Sequence, residues 1–312
     1  MPPSPPFRTA TVLSGDRNFE YTIFNAATSR YALPPLVLVS GWGQAQEEWG
    51  RLPAELARRT RRAVLTFDNQ GIGASVDREG DAFTLESWRD DVLELAARAF
   101  GRGARFSVLG YSMGCFAAQL LAATRPERVE SIVLIGAQGA RPSAAAAGTD
   151  GRAWFRLAMR TLASGVDTLE NNERRLRTTT TAAALDGVEP SDLAAAVALN
   201  LGLRRPAATI RKQLKLLGSA DVGPLLERIV CPVLVVAGEL DVIVPPANGR
   251  LLMAQLTSAR RREFAVVRGR GHYCWGPVPT AEGAEAPAAT VALAEKVREF
   301  LSDQPLGDLA RL

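Results

Sequence analysis

The sequence predicts an α/β fold in which a mostly parallel, eight-stranded sheet is flanked by helices and carries an inserted helical cap. Short apolar runs alternate with segments of helical spacing along most of the chain, as expected for strands joined by helical crossovers. This alternation is interrupted once, by a long stretch with helical segments and no convincing strand. The composition, 312 residues of which 47% are hydrophobic and 22% charged, is typical of a globular protein with a large core.

The chain is expected to begin with an antiparallel hairpin, whose strands lie around Thr9–Leu13 and Phe19–Phe24 and are separated by turn residues. Six later apolar runs are expected to be buried strands: Leu36–Ser40, Ala63–Phe67, Phe106–Leu109, Ser131–Ile135, Pro232–Ala237 and Phe264–Val267. Helices are expected between them and after the last: Glu47–Arg59, Leu85–Phe100, Met113–Thr124, Asn248–Gln255 and Thr290–Leu301. Because strand and helix alternate, the six strands are expected to run parallel.

The long interruption predicts a cap domain. A linker rich in Ala, Gly and Pro opens it and a Gly-Pro pair closes it, which predicts a core at 1–138, a cap at 139–223 and the rest of the core at 224–312. Such insertions often shape a ligand pocket, so Trp154 is a candidate substrate contact, with the inner face of a packed helix as the alternative. Five basic cap residues are expected to face solvent, with binding of a substrate carboxylate as the alternative: Arg204, Arg205, Arg211, Lys212 and Lys215.

Charge and cysteine content argue against several classes of partner. The net charge is only +4 and the arginines are spread along the chain, so nucleic-acid binding is not expected. No apolar run is long enough to span a bilayer, and a membrane partner is not expected. The cysteines lack metal-ligand spacing, and neither a metal nor a cofactor is expected: Cys115, Cys231 and Cys274. The expected partner is a small-molecule acyl substrate, and the expected state is a monomer or homodimer.

The same features predict a location inside the cell. The chain starts without a basic-then-apolar signal pattern, and its odd number of cysteines fits a reducing compartment, so the cytoplasm is expected. The tail Ala310-Arg311-Leu312 matches the small–basic–Leu form of a peroxisomal signal. The peroxisome is therefore the alternative if the source is a eukaryote.

A nucleophile elbow is predicted at residues 110–114. The segment Gly110-Tyr-Ser112-Met-Gly114 has the form Gly-x-Ser-x-Gly and lies where a predicted strand leads into a helix. Such a turn holds the serine in a strained conformation, and its glycines are needed because side chains there would collide with neighbouring backbone. Ser112 is therefore the candidate nucleophile.

A serine nucleophile needs a base, and the chain contains one histidine. His272 follows the last predicted strand in a glycine-rich loop, which leaves it free to reach Ser112. The acid that orients it is expected to be Asp241, just beyond the strand Pro232–Ala237, with Glu239 as the local alternative. The resulting order Ser, Asp, His differs from those of chymotrypsin and subtilisin.

The loop after the first central strand is expected to complete the site. Backbone N–H groups of Trp42, in Ser40-Gly-Trp-Gly43, and of Met113 are predicted to bind the oxyanion of a tetrahedral intermediate. Gly43 and Tyr111, which flank these positions, are candidate substrate contacts. The alternative for this loop is a plain strand-to-helix turn.

The chain resembles the α/β-hydrolase superfamily, and within it the small esterase and enol-lactonase-like enzymes. The likeness rests on four segments: Ser40–Gly43, Phe67–Ser75, Gly110–Gly114, and Gly238–Asp241 with Gly271-His272. Two positions depart from the common pattern, Ser40 where many relatives carry histidine and Gln70 where arginine is usual. Serine at position 112 argues against the dehalogenase and epoxide hydrolase branches, which use a carboxylate nucleophile.

This resemblance implies hydrolysis of a carboxylic ester, lactone or thioester of a small molecule through an acyl-enzyme on Ser112. Two other hypotheses stay open. One is carbon–carbon bond hydrolysis or acyl transfer by the same residues. The other is a ligand receptor that has kept the fold.

Overall fold

The computed structural model describes residues 7–14, 17–25, 33–76, 82–139, 168–181, 185, 188, 190–276 and 286–302, and the elements below lie within them. The strands are β1 (Phe7–Ser14), β2 (Arg17–Phe24), β3 (Leu36–Val39), β4 (Val64–Phe67), β5 (Phe106–Tyr111), β6 (Val129–Ile135), β7 (Val233–Gly238) and β8 (Arg262–Val267). The α-helices are α1 (Leu52–Thr60), α2 (Leu85–Phe100), α3 (Gly114–Thr124), α4 (Leu169–Thr179), α5 (Pro190–Gly202), α6 (Ala207–Ser219), α7 (Pro246–Gln255) and α8 (Ala288–Ser302).

The strands form one sheet in the order β1-β2-β4-β3-β5-β6-β7-β8. β1 and β2 pair as an antiparallel hairpin, and β2 also pairs antiparallel with β4. All remaining pairs, from β4 across to β8, are parallel. The predicted eight-stranded, mostly parallel sheet is thus confirmed, including its opening hairpin. The parallel arrangement brings the carboxyl ends of β3, β5, β6, β7 and β8 to one edge of the sheet. The loops that carry the predicted site residues follow these strand ends.

The central strands are buried because helices cover both faces of the sheet. On one face, α2, α3 and α7 contribute Trp88, Leu121 and Leu252 to the larger apolar cluster. On the other face, α1 and α8 contribute Leu56 and Phe300 to the second cluster. This double cover explains why β3 to β7 read as continuous apolar runs rather than as alternating ones.

Two local expectations were wrong. The single helix predicted at Glu47–Arg59 is divided into a short 3-10 helix, Gln46–Trp49, and α1. Pro53 cannot donate a helical hydrogen bond and its ring clashes with the carbonyl four residues earlier, while Gly50 turns the chain with φ 55°. Strand β8 is not fully buried, since it lies at the edge of the sheet and Val266 is 38% exposed.

The stretch between β6 and β7 contains α4, α5 and α6, followed by a short 3-10 helix at Gly223–Arg228. Its described residues include no strand, as the sequence predicted. The division into a core and a cap remains a prediction. Among the described helices, none has the length and apolar character needed to cross a bilayer.

Candidate active site

Ser112 lies at the junction of β5 and α3, in a backbone conformation that few residues adopt. Its φ is 52°, and among the described residues only two other non-glycine positions have a positive φ. Its N–H donates to the Ile135 carbonyl oxygen at 2.8 Å, which ties the turn to the end of β6. This left-handed geometry is the strained turn that the Gly-x-Ser-x-Gly pattern predicted.

The flanking glycines are required by close backbone approach. A Cβ atom on Gly114 would lie 2.2 Å from the Val39 carbonyl oxygen, and one on Gly110 would lie 2.7 Å from the Gly114 carbonyl oxygen. Neither contact can be relieved by moving a flexible side chain. The collision predicted from the sequence is therefore present at both positions.

The structure brings Asp241 and His272 together. Asp241 follows β7, His272 follows β8, and Asp241 Oδ2 lies 2.7 Å from His272 Nδ1. The other oxygen of Asp241 accepts the N–H groups of Ile243 at 2.8 Å and Val244 at 2.9 Å, which fixes the carboxylate. Both side chains are buried. Because Nδ1 faces the carboxylate, Nε2 is left on the opposite side of the ring.

Glu239, the alternative acid, lies elsewhere. It is exposed, and its Oε2 accepts the Gly269 N–H at 2.8 Å, in the loop that leads from β8 to His272. Asp241 lies two positions further past the end of β7 than Glu239, and it is Asp241 that reaches the imidazole.

The imidazole of His272 packs over the end of β6 and against β5. A Cβ atom on Gly136 would lie 2.8 Å from His272 Cε1 and 3.0 Å from Nδ1. The ring centroids of His272 and Tyr111 are 4.9 Å apart. Tyr111 directly precedes Ser112, and the Ser112 N–H is hydrogen-bonded to Ile135, the residue before Gly136. The imidazole, which contacts both Tyr111 and Gly136, therefore lies beside the serine turn. Tyr111 thus supports the histidine, and its role as a substrate contact stays a prediction.

The loop from Ser40 to Gln44 lies against the serine turn. A Cβ atom on Gly41 would lie 3.2 Å from Ser112 Cβ. Two buried glutamines hold this loop: Gln44 Oε1 accepts the Gly41 N–H, and Gln213 Oε1, from α6, accepts the Gly43 N–H, both at 2.8 Å. These bonds fix the Ser40–Gly41 and Trp42–Gly43 peptide planes, which flank the peptide that carries the Trp42 N–H. We refer to residues 40–44 as the oxyanion loop, after its predicted role.

The oxyanion role of the Met113 and Trp42 N–H groups stays a prediction, and the structure shows what surrounds the two residues. Met113 is the N-cap of α3, where backbone N–H groups have no partner within the helix. Trp42 donates its indole Nε1–H to the Ile210 carbonyl oxygen at 3.3 Å, so its side chain packs on α6. Gly43 also contacts the insert, which is the stretch between β6 and β7, since Arg205 Nε donates to the Gly43 carbonyl oxygen at 2.7 Å.

Ser40, one of the two departures from the family pattern, has a structural role. Its Oγ accepts from Trp49 Nε1 at 3.0 Å, and its carbonyl oxygen accepts from Asn69 Nδ2 at 3.3 Å. The Ser40 hydroxyl is paired with a buried indole. The serine is thus accommodated by the core.

The Asp68–Gly73 segment is a turn braced by a buried carboxyl group. Asp68 accepts the N–H groups of Gln46 at 2.8 Å and Ala74 at 2.9 Å. Burial, followed by the charge of Glu47, raises the pKa of Asp68 to about 7. These contacts give the segment a structural role, and the Asn69 bond to the Ser40 carbonyl oxygen places it next to the oxyanion loop.

The sequence did not reveal a buried ionic cluster beside the oxyanion loop. Glu48 is buried and pairs with Arg175 at 2.6 Å and Arg205 at 2.9 Å. Burial alone raises the pKa of Glu48, but the two guanidinium groups hold it below its ordinary value. The expectation that Arg205 faces solvent was wrong, because its side chain is 4% exposed. Glu47 and Glu48 are adjacent residues of the same type, and nothing in the sequence around them indicates that Glu48 is the buried one.

A family model described as alpha/beta hydrolase fold matches residues 34–273. The chain belongs to the α/β-hydrolase family. This confirms the predicted fold class, and together with the relatives described next it confirms the esterase-like branch, so the chain is a hydrolase. Ser112, Asp241 and His272 all fall within the matched range.

Two relatives show the range of names within this hydrolase family. A pimeloyl-[acyl-carrier protein] methyl ester esterase of Aromatoleum aromaticum is 32% identical over 240 residues, covering 74% of this chain and 89% of the relative. A Mycobacterium tuberculosis protein whose name proposes a non-heme bromoperoxidase is 33% identical over 232 residues, covering 72% and 83%.

Solved structures agree on the fold. The enol-lactonase of Burkholderia xenovorans superposes with a TM-score of 0.69 at 21% identity, covering 94% of this hydrolase and 100% of the other chain. A bromoperoxidase of Bacillus anthracis gives a TM-score of 0.73 at 19% identity, covering 95% and 100%. At these identities the likeness concerns the fold alone.

One predicted site residue lies outside the described residues, namely Trp154. The others meet at one edge of the sheet: Trp42, Gly43, Tyr111, Ser112, Met113, Asp241 and His272. Sequence reasoning missed Gln213, which contacts Gly43 from α6, and Glu48, which is linked to this set through Arg205 and Tyr273.

Proposed function

We propose that this hydrolase cleaves a carboxylic ester, lactone or thioester of a small molecule through an acyl-enzyme on Ser112. The observation that carries the proposal is the Asp241–His272 pair, 2.7 Å apart, beside a serine held at φ 52°. A buried imidazole oriented by a carboxylate is the base that a serine hydroxyl requires.

In the proposed first half-reaction, Ser112 Oγ attacks the substrate carbonyl carbon while His272 Nε2 takes the hydroxyl proton. Asp241 stabilises the imidazolium that forms. The N–H groups of Trp42 and Met113 bind the negatively charged oxygen of the tetrahedral intermediate. The intermediate then collapses, and the leaving alcohol or thiol takes the proton from His272.

In the second half-reaction, water attacks the acyl carbon and gives its proton to His272. The new tetrahedral intermediate collapses, the carboxylic acid leaves, and Ser112 regains its proton from His272. The same residues thus serve both halves of the cycle.

The choice of an acyl substrate is supported by the relatives. The name of the Aromatoleum protein specifies a methyl ester, and that of a Klebsiella pneumoniae protein, 26% identical over 245 residues, proposes a carbamate. Both are acyl compounds in which a heteroatom leaves. An ester of a small alcohol is accordingly the first substrate class to test.

Pre-steady-state hydrolysis of short p-nitrophenyl esters tests the acyl-enzyme. Wild type is expected to release a burst of p-nitrophenol equal to the enzyme present, followed by slower turnover. Ser112→Ala is expected to lose both phases. The matched control is Ser107→Ala, also on β5, whose buried hydroxyl forms a hydrogen bond with Ser131 Oγ at 2.9 Å. Equal rates in wild type and Ser112→Ala would refute the proposal.

Product analysis separates this proposal from carbon–carbon cleavage and acyl transfer, since each leaves a different second product.

A small-molecule partner, a monomeric or homodimeric state and a cytoplasmic or peroxisomal location remain predictions from the sequence. The tail on which the peroxisomal alternative rests lies outside the described residues.

A further inference from the structure

Glu48 is a buried carboxylate that joins three separate parts of the chain. Its Oε1 accepts from Tyr273 Oη–H at 3.1 Å and from Arg175 Nη2 at 2.6 Å. Its Oε2 accepts from Arg205 Nη2 and from the Ala45 N–H, both at 2.9 Å. Tyr273 belongs to the histidine loop, residues 268–276, whereas the two arginines belong to the insert between β6 and β7.

A carboxylate in this position is costly and is balanced by specific partners. Its side chain is 2% exposed, and removing a charge from water is unfavourable unless the charge is paired and hydrogen-bonded. The two guanidinium groups keep Glu48 ionised, and burial raises the pKa of Tyr273, so its hydroxyl stays a donor. Buried ion pairs often add little net stability, and in some proteins they fix a specific arrangement instead.

Arg205 connects the cluster to the oxyanion loop. Its Nε donates to the Gly43 carbonyl oxygen at 2.7 Å, and its Nη1 donates to the Asn200 carbonyl oxygen at 2.6 Å. With the Nη2 bond to Glu48, all three nitrogens of the planar guanidinium group donate hydrogen bonds, each in a different direction. Lysine could not make these contacts at once, because it carries a single rotating ammonium.

Tyr273 connects the cluster to the catalytic histidine of the proposed mechanism. It follows His272 directly, and its N–H donates to the Thr179 carbonyl oxygen at the end of α4 at 2.9 Å. A second bond, from Thr181 Oγ1 to the Gly269 carbonyl oxygen at 2.8 Å, ties the same loop to the same end of α4. The histidine loop is therefore held by the insert and by Glu48 together.

We propose that Glu48, Arg205 and Tyr273 form a positioning unit that sets the oxyanion loop and the histidine loop at a fixed separation. The inference rests on the proposed function, in which one loop binds the oxyanion and the other carries the base. Displacements of about 1 Å between such groups can cost about 100-fold in rate. In this arrangement the insert acts as the frame of the site rather than only as a cover.

The test compares kcat, KM and the folded fraction of Tyr273→Phe, Arg205→Met, Arg205→Lys and Glu48→Gln, using a p-nitrophenyl ester. Tyr273→Phe removes one hydroxyl and is expected to fold. It should lower kcat by about three- to tenfold with KM changed by less than about twofold. Arg205→Met should lower kcat by about 100-fold, and Arg205→Lys should recover part of this loss because it keeps the charge. Glu48→Gln, which removes the acceptor charge, should also lower kcat.

The matched control is Arg177→Gln, on the same helix as Arg175. Arg177 pairs with Glu173 at 2.8 Å on the exposed side of α4. The substitution is therefore expected to leave kcat unchanged. Wild-type kcat in a folded Tyr273→Phe, or losses that follow the unfolded fraction alone, would overturn the positioning unit while leaving the proposed function intact. Absence of ester turnover in wild type would overturn both.

Discussion

At the scale of single residues, the site depends on a few backbone positions where a side chain cannot be accommodated. Gly136 is the clearest case, because it lies directly beneath the imidazole of His272 and has a φ of 62°. Its absence of a side chain is what allows the ring to approach both Asp241 and the serine turn.

Gly136→Ala is expected to lower kcat/KM by about 10- to 100-fold, because the added methyl group would displace the His272 ring. Backbone strain should also reduce the free energy of unfolding by about 1–2 kcal/mol. The control is Gly269→Ala, where φ is 65° but an added Cβ meets nothing within 4 Å. Ester kinetics and urea unfolding would measure the two effects. Similar kinetics in both variants would contradict the proposed packing of His272.

Asp68 is expected to make stability depend on pH. Burial, then the charge of Glu47, raises its pKa from the ordinary 3.8 to about 7. The folded state therefore holds this proton more tightly than the unfolded state does. The stabilising contribution of Asp68 is complete below pH ~4 and is lost as the pH rises through about 7.

Unfolding by urea between pH 4.5 and 8 would measure this effect in wild type and in Asp68→Asn. The free energy of unfolding of wild type, relative to the variant, should fall by ~3 kcal/mol across the window, because about 2.5 pH units separate its lower end from the folded pKa at ~1.4 kcal/mol per unit. A difference that stays constant or grows with pH would show that Asp68 is ionised throughout.

At the scale of elements, the loops of the site are held by helices that are distant in sequence. Helix α6 is an example, because Gln213 accepts the Gly43 N–H, and Ile210 accepts the Trp42 indole N–H. These contacts join the oxyanion loop to residues about 170 positions later. No periodicity in the sequence indicates such a pairing, which is why it escaped prediction.

Gln213→Leu is expected to leave the buried Gly43 N–H without its acceptor. The free energy of unfolding should fall by about 1–3 kcal/mol, and kcat should fall because the oxyanion loop is less firmly held. Lys215→Gln, at an exposed position of the same helix, is the control and should change neither. Ester kinetics and thermal unfolding would measure both. An unchanged kcat in Gln213→Leu would show that α6 does not support the oxyanion loop.

Element boundaries also show what local pattern could and could not predict. The apolar runs and the opening turn predicted every strand of the sheet, and the signal is clearest for the central strands β3 to β7, which are covered on both faces. The break between Gln46–Trp49 and α1 was missed, although Gly50 and Pro53 are both present in the sequence. That break matters for the site, since the short 3-10 helix contains the buried Glu48.

At the scale of the whole molecule, parallel topology explains why distant residues meet. Ser112, Asp241 and His272 follow β5, β7 and β8, whose carboxyl ends lie at one edge of a sheet. This could be predicted from motifs and strand order alone. The ionic cluster around Glu48 could not, because its members come from the 3-10 helix, the insert and the histidine loop, and only tertiary packing joins them.

The most direct test of the central claim is labelling with a fluorophosphonate, which reacts with serine hydroxyls activated by a neighbouring base. The modified residue would be mapped by mass spectrometry in wild type, Ser112→Ala and His272→Ala, with folding checked for each. We predict stoichiometric labelling of wild type at Ser112 and loss of labelling in both variants. Folded wild type that is not labelled, or labelling at another serine, would contradict the assignment of Ser112 as a nucleophile activated by His272.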